Sequence, residues 1–155
     1  MSLMDLSAVL WRTRELLELL LFKLEEEQLL LAASRSRWLP HAAREVELVL
    51  DQIRITEVIR AIHAQSAAQF LGLPADASLA QLADVAASPW SELLHDHRKA
   101  FMALTAEVTA LAEANRGLLT TGLRAARETM VTVTGSVETY GRTGQLTAWP
   151  LWTVP

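Results

Sequence analysis

The first spacing in this chain that could do chemistry is Glu92-Leu93-Leu94-His95. A carboxylate and an imidazole three residues apart share one face of a helix, and helical bundles use this Glu-x-x-His element to hold paired iron or manganese ions. That architecture needs two such elements and a glutamate from each of two further helices. Neither His41 nor His63 has a glutamate three residues before it, so the single copy predicts a solvated first helical turn, not a metal centre. His95 and His97 flank Asp96, but positions two apart project to different helix faces and cannot converge as ligands or as an acid-base pair. His97 lies on an apolar line and is expected to be a hydrogen-bonded core residue. Glu25, Glu26 and Glu27 occupy successive positions that fan around a helix, which predicts a solvated face. No serine sits in a nucleophile elbow, and Gly141 and Gly144 precede no helix that could cradle a phosphate. The expectation is a protein that is not an enzyme, with no metal and no cofactor.

Composition narrows the class. The chain has 155 residues with 51% hydrophobic content, enough for the core of one domain. Charges interrupt each apolar run, as Glu15, Glu18 and Lys23 do around Leu16 to Leu24, so no segment is expected to insert into a membrane. Met1-Ser2-Leu3-Met4-Asp5 lacks the basic and apolar blocks of a secretory signal, and there is no cysteine, which together predict a cytoplasmic protein. A net charge of -4 and a pI near 5.6 argue against nucleic acid as a partner.

These residues are positioned by a pattern that is helical throughout. Leu6, Leu10, Leu17, Leu20, Leu24 and Leu31, with Leu16, Leu19 and Leu30 beside them, form a stripe wide enough for a helix with two neighbours. A turn follows at Ser34 to Pro40, since Pro40 disfavours helix at Leu39. The second helix is expected to bury Val46, Val49, Leu50, Ile53, Val58, Ile59, Ile62 and Phe70 and to end at Gly72-Leu73-Pro74. Ser78 and Gln81 form a capping box opening a short helix, and Ser88-Pro89 opens the last one. That helix carries a heptad seam of Trp90, Leu94, His97, Phe101, Leu104, Val108, Leu111, Asn115, Leu118, Gly122 and Ala125, in which Asn115 is placed to fix register. The reading is all-α: an antiparallel, coiled-coil-like helical bundle over residues 1–132, with helices at about 3–33, 40–71, 79–87 and 89–131, and an irregular tail over 133–155. Trp149 and Trp152 in that tail are expected to contact something, because each offers roughly 150–250 Å² of surface for burial.

Two motifs at matching separation carry a resemblance. Ala114-Asn115-Arg116-Gly117-Leu118-Leu119, followed by Tyr140-Gly141-Arg142-Thr143-Gly144-Gln145, resembles the Asn-x-x-Leu-Leu helix and Tyr-Gly-x-x-Gly-Gln tail of flagellar export chaperones of the FlgN family. Leu24-Glu25-Glu26-Glu27-Gln28-Leu29 is similar to the acidic stretch late in that family's first helix, whereas Arg44-Glu45-Val46-Glu47 and the Trp-Pro finish depart from its pattern. The resemblance implies a chaperone that binds hook-associated proteins similar to FlgK and FlgL, prevents their premature assembly and delivers them to the flagellar export gate. On that reading client binding falls to Leu118, Leu119, Leu123, Met130, Val131 and Val133. Gate docking falls to Tyr140, Gly141, Gly144 and Gln145. The pattern is also compatible with a homodimer. The alternatives are a self-associating structural bundle without a client and, further off, a metal-carrying bundle.

Overall fold

A computed structural model of the chain describes residues 2–134. Those residues form the long helices α1 (Ser2–Ala32) and α2 (Leu39–Phe70), the short α3 (Leu79–Val85) and the longest helix, α4 (Trp90–Thr134). A 3-10 turn, Ser36–Trp38, joins α1 to α2, and no strand occurs among the described residues.

Two clusters of buried side chains set the topology. One joins Leu3, Leu6 and Leu10 of α1 to Ala67 and Ala68 of α2, to Leu79, Leu82 and Ala83 of α3, and to Leu94 and Phe101 of α4. The other joins Leu16, Leu20 and Leu24 of α1 to Val46, Val49, Leu50 and Ile53 of α2, and to Val108 and Ala112 of α4. The start of α1 therefore meets the end of α2 and the start of α4. The long helices run up, down, up; each is antiparallel to the next, and α1 is parallel to α4. Helix α1 is the element against which both other long helices pack. Each of its buried leucines contributes about 1.5–3 kcal/mol on removal from water.

The ends follow local chemistry. Ser78 Oγ accepts from the Gln81 amide at 3.2 Å while Gln81 Oε1 accepts from the Ser78 amide at 2.8 Å, so the capping box is complete. Ser91 Oγ donates to the Ala83 carbonyl at 2.7 Å and ties α4 to α3. At the end of α2, Gly72 takes φ of +72°, with the Leu73 amide on the Ala68 carbonyl and the Gly72 amide on the Gln69 carbonyl. This is the glycine-terminated Schellman motif expected from Gly72-Leu73-Pro74. The end of α1 repeats the same pair of bonds, Arg35 to Leu30 and Ser34 to Leu31, but places a serine, Ser34, at φ of +55°.

Three expectations are corrected. Helix α2 begins at Leu39, which is right-handed helical (φ -56°, ψ -42°) despite preceding Pro40; the restriction before proline is overridden in the first turn, where the chain is already committed to the helix. Helix α4 runs to Thr134, past the expected limit near residue 131, so Val133 and Thr134 belong to it and not to the tail, because this stretch lacks a breaker until Gly135. Most consequentially, Val58, Ile59, Ile62 and Phe70 are exposed, and the buried residues of α2's second half are Thr56, Ala67 and Ala68. Helix α2 bears two apolar stripes on opposite sides, and the one rich in small residues allows close approach to α1.

The left-handed conformation at Ser34 costs about 1–2 kcal/mol for a residue with a Cβ. Replacing Ser34 with Gly is therefore expected to stabilise the protein by about 0.5–1 kcal/mol after the entropy of glycine is counted, raising the thermal midpoint by roughly 2–3 °C in a melting experiment.

Candidate functional site

The site is built by the mismatch between α4 and its partner. Helix α4 has 45 residues and α1 has 31. Their register is read from two contacts: the Trp11 and His97 rings meet with centroids 4.7 Å apart, and Asn115 Nδ2 donates to the Leu24 carbonyl at 2.9 Å. The two helices thus start nearly flush, and at about 1.5 Å per residue α4 outruns α1 by roughly 20 Å at its carboxyl end.

Up to Asn115 the seam of α4 is covered. Leu94, His97, Phe101, Val108, Ala112 and Asn115 are buried, with Leu104 and Leu111 half-buried. The same line continues through Leu119, Leu123 and Ala126, but Leu119 is half-buried, Leu123 is 62% exposed and Ala126 is exposed. A Cβ added at Gly117 or Gly122 would meet open space. Thr120, Leu123, Arg124, Arg127, Glu128 and Val131 line an open, mainly apolar depression along this end. Of the residues expected to bind a client, Leu118, Leu123 and Val131 are exposed and Leu119 is half-buried on this segment. Met130 and Val133 are carried by the same helix. The gate-docking residues Tyr140, Gly141, Gly144 and Gln145 and the tryptophans Trp149 and Trp152 lie outside the described residues.

Polar groups in the seam hold this register. Asn115, 2% exposed, sets Nδ2 on the Leu24 carbonyl and on Glu27 Oε1 at 3.1 Å. Glu27 is therefore not part of a solvated acidic face. It is half-buried against α4, and burial pushes its carboxyl above the usual range while the Asn115 bond opposes that shift. Glu25 is exposed, and Glu26 with Glu45 of α2 flanks Lys23 at 3.4 and 2.9 Å. The Lys23 ammonium is held above its ordinary range chiefly by the hydrogen bond to Glu45. His97 also differs from expectation: it is fully buried, and neither ring nitrogen has a hydrogen-bond partner among the described residues. The Trp11 edge and the Phe101 ring pack on it instead. Burial, with the charge of Arg14 nearby, lowers its pKa to about 4 against a weaker opposing pull from Asp96. The Glu-x-x-His pair is spent on the connector: Ser88 Oγ donates to Glu92 Oε1 at 3.0 Å, and His95 Nε2 lies 3.2 Å from Asp84.

The longest helix of the bundle thus presents an exposed apolar face beyond its partners. Over residues 1–148 the chain matches the family described as FlgN protein, and it belongs to that family, which consists of flagellar export chaperones for hook-associated proteins and not of enzymes. No curated protein and no solved structure matches the chain significantly. No described helix is long and apolar enough to cross a membrane.

The state of His97 has a measurable consequence. Its folded pKa lies below the ordinary 6.5, so the unfolded chain binds the extra proton first and stability falls as pH drops from 6.5 towards 4. At about 1.4 kcal/mol per unit the loss amounts to about 3 kcal/mol. Denaturant titrations at pH 7 and pH 4.5 are expected to show a smaller loss for His97→Phe than for the wild type; equal losses in the two proteins contradict the assignment.

Proposed function

We propose that the free end of α4 is where this chaperone holds its clients, hook-filament junction proteins similar to FlgK and FlgL. The observation that supports this reading is the seam itself. Leu119, Leu123 and Ala126 continue the apolar line that buries Leu94 to Asn115, yet Leu119 is only half-buried and Leu123 and Ala126 are exposed. The terminal segment of a client, amphipathic and disordered until assembly, can lay its apolar face on such a line at i, i+3, i+4, i+7 spacing. Leu118, Leu119, Leu123, Met130, Val131 and Val133 serve as the contact set, and Arg124 and Arg127 attract acidic flanks of the segment. While held, the client cannot polymerise. Its later release demands moderate affinity, which coupled folding supplies by absorbing about 2–5 kcal/mol of the contact energy. The Tyr140-Gly141-Arg142-Thr143-Gly144-Gln145 motif then docks the loaded chaperone at the export gate, with the ring of Tyr140 as the anchor. The acting compartment is the cytoplasm, where these subunits are made before export.

Leu123 is exposed, so Leu123→Asp leaves the bundle's melting temperature unchanged while placing a charge in the contact line. Titration calorimetry against the cognate junction protein is expected to show binding weakened about 10- to 100-fold. Unaltered affinity rejects the site. Tyr140→Ala is expected to spare client binding and reduce export of the client in cells.

A further inference from the structure

The face of α4 that packs on α1 continues past the point where α1 stops. Asn115 bonds to Glu27, and α1 ends at Ala32, so the end of α1 lies level with about residue 120 of α4 at 1.5 Å per residue. Leu123 and Ala126, on the same line, therefore border the space directly beyond the end of α1. A segment laid on them lies in line with α1, and its inner end meets the turn from Ser34 to Trp38. Arg35, Arg37 and Trp38 are all exposed on that turn. The Arg37 guanidinium lies 4.9 Å from the centre of the Trp38 ring, and among the described residues no carboxylate pairs with Arg35 or Arg37. No backbone contact joins the 3-10 turn Ser36–Trp38 to α4, so turn and helix are two walls of an open corner. We propose that this turn is the end wall of the client site and takes an acidic end of the segment held on α4: Arg35 and Arg37 bind its carboxylates, and Trp38 packs on the apolar residue before them. The inference rests on the reading that the free end of α4 holds the client.

Two observations select an acidic peptide end for this corner. The first is charge. Residues 33–38 and 116–134 carry the arginines Arg35, Arg37, Arg116, Arg124 and Arg127 against a single carboxylate, Glu128, in a chain whose net charge is -4. The positive charge of an acidic protein is thus gathered around the corner, and a guanidinium presents a planar fork of donors that matches a carboxylate. The second is continuity. The turn stands where the covered part of the α4 seam gives way to the exposed part, so a segment that reaches the turn also covers Leu119 and Leu123. The projecting part of α4 spans roughly 20 Å, which a helical segment of about 14 residues matches. A partner that fits both walls is amphipathic over about four turns and acidic in the turn nearest Arg35 and Arg37. The carboxyl end of a helix carries partial negative charge, so that end is the one the arginines favour, and the segment runs antiparallel to α4.

The full chain carrying Arg35→Glu and Arg37→Glu together is expected to keep the wild-type melting temperature. It is expected to bind the cognate junction protein about 10-fold more weakly, mainly through slower association, and to lose less affinity than the wild type between about 50 and 500 mM salt. The chain contains no cysteine, so a photoactivatable cross-linker can be placed at one position. Attached through Ser36→Cys it is expected to capture the junction protein; attached through Asp76→Cys, exposed at the opposite end of the bundle, it captures none. Leu123→Asp separates this inference from the one beneath it. Should Leu123→Asp weaken binding while the arginine reversal does not, or should positions 36 and 76 cross-link equally, the end wall is rejected and the α4 site stands. Should Leu123→Asp have no effect, the α4 site fails and the end wall with it. Client affinity that survives the arginine reversal, alongside lost binding to phosphatidylglycerol vesicles, assigns the turn to a lipid surface and also overturns the proposal.

Discussion

The arrangement depends on α1 serving two neighbours at once. Its leucines turn towards α2 on one side and α4 on the other, and neither outer helix has another full-length partner. Among the described residues, apolar surface on α2 or α4 is removed from water where α1 can reach it and, at the start of α4 and the end of α2, where the short α3 adds cover. The end of α1 at Ala32 therefore sets where the covered part of α4 stops, and the flank of α1 sets which side of α2 is buried. Both exposed surfaces of this protein, along the free end of α4 and on the outside of α2, are consequences of that single limit.

A seam of leucines and alanines is tolerant of sliding, because one heptad of apolar contacts resembles the next. Asn115 removes that freedom. Its amide reaches both a backbone carbonyl and a carboxylate of α1, and a shift by one turn leaves a buried amide and Glu27 without partners. His97, held between Trp11 and Phe101, repeats the specification by shape near the other end of the seam. Register in turn decides how far α4 projects, so the extent of the free surface rests on a few polar and aromatic residues inside the bundle.

Much of this was legible in the sequence where local chemistry acts alone. The capping box at Ser78 and Gln81, the glycine at the end of α2 and the heptad line of α4 each encode an element through spacing that needs no knowledge of neighbours, and the helix limits follow to within a few residues. Side chains that depend on a neighbour were not legible. Helix α2 offers two apolar stripes, and periodicity treats Ile62 and Ile53 alike; only the shape of α1 distinguishes them. Ser34 in a left-handed turn carries no sequence signal, since serine is ordinary in any loop. The burial of Glu27 follows from its distance to Asn115, 88 positions later, and a reading of the local acidic run could not reach it.

The junction between the covered and uncovered parts of α4 has a kinetic meaning. An isolated helix of some fourteen residues in water is marginal because its first turn is costly to form, while each added residue of an existing helix is nearly neutral. The bundle supplies that nucleus for residues beyond Asn115, and Thr120 and Thr129 add hydroxyl bonds to the carbonyls of Arg116 and Ala125. On the proposed reading a visiting polypeptide meets a template already wound, and only one of the two partners must lose its chain entropy on encounter.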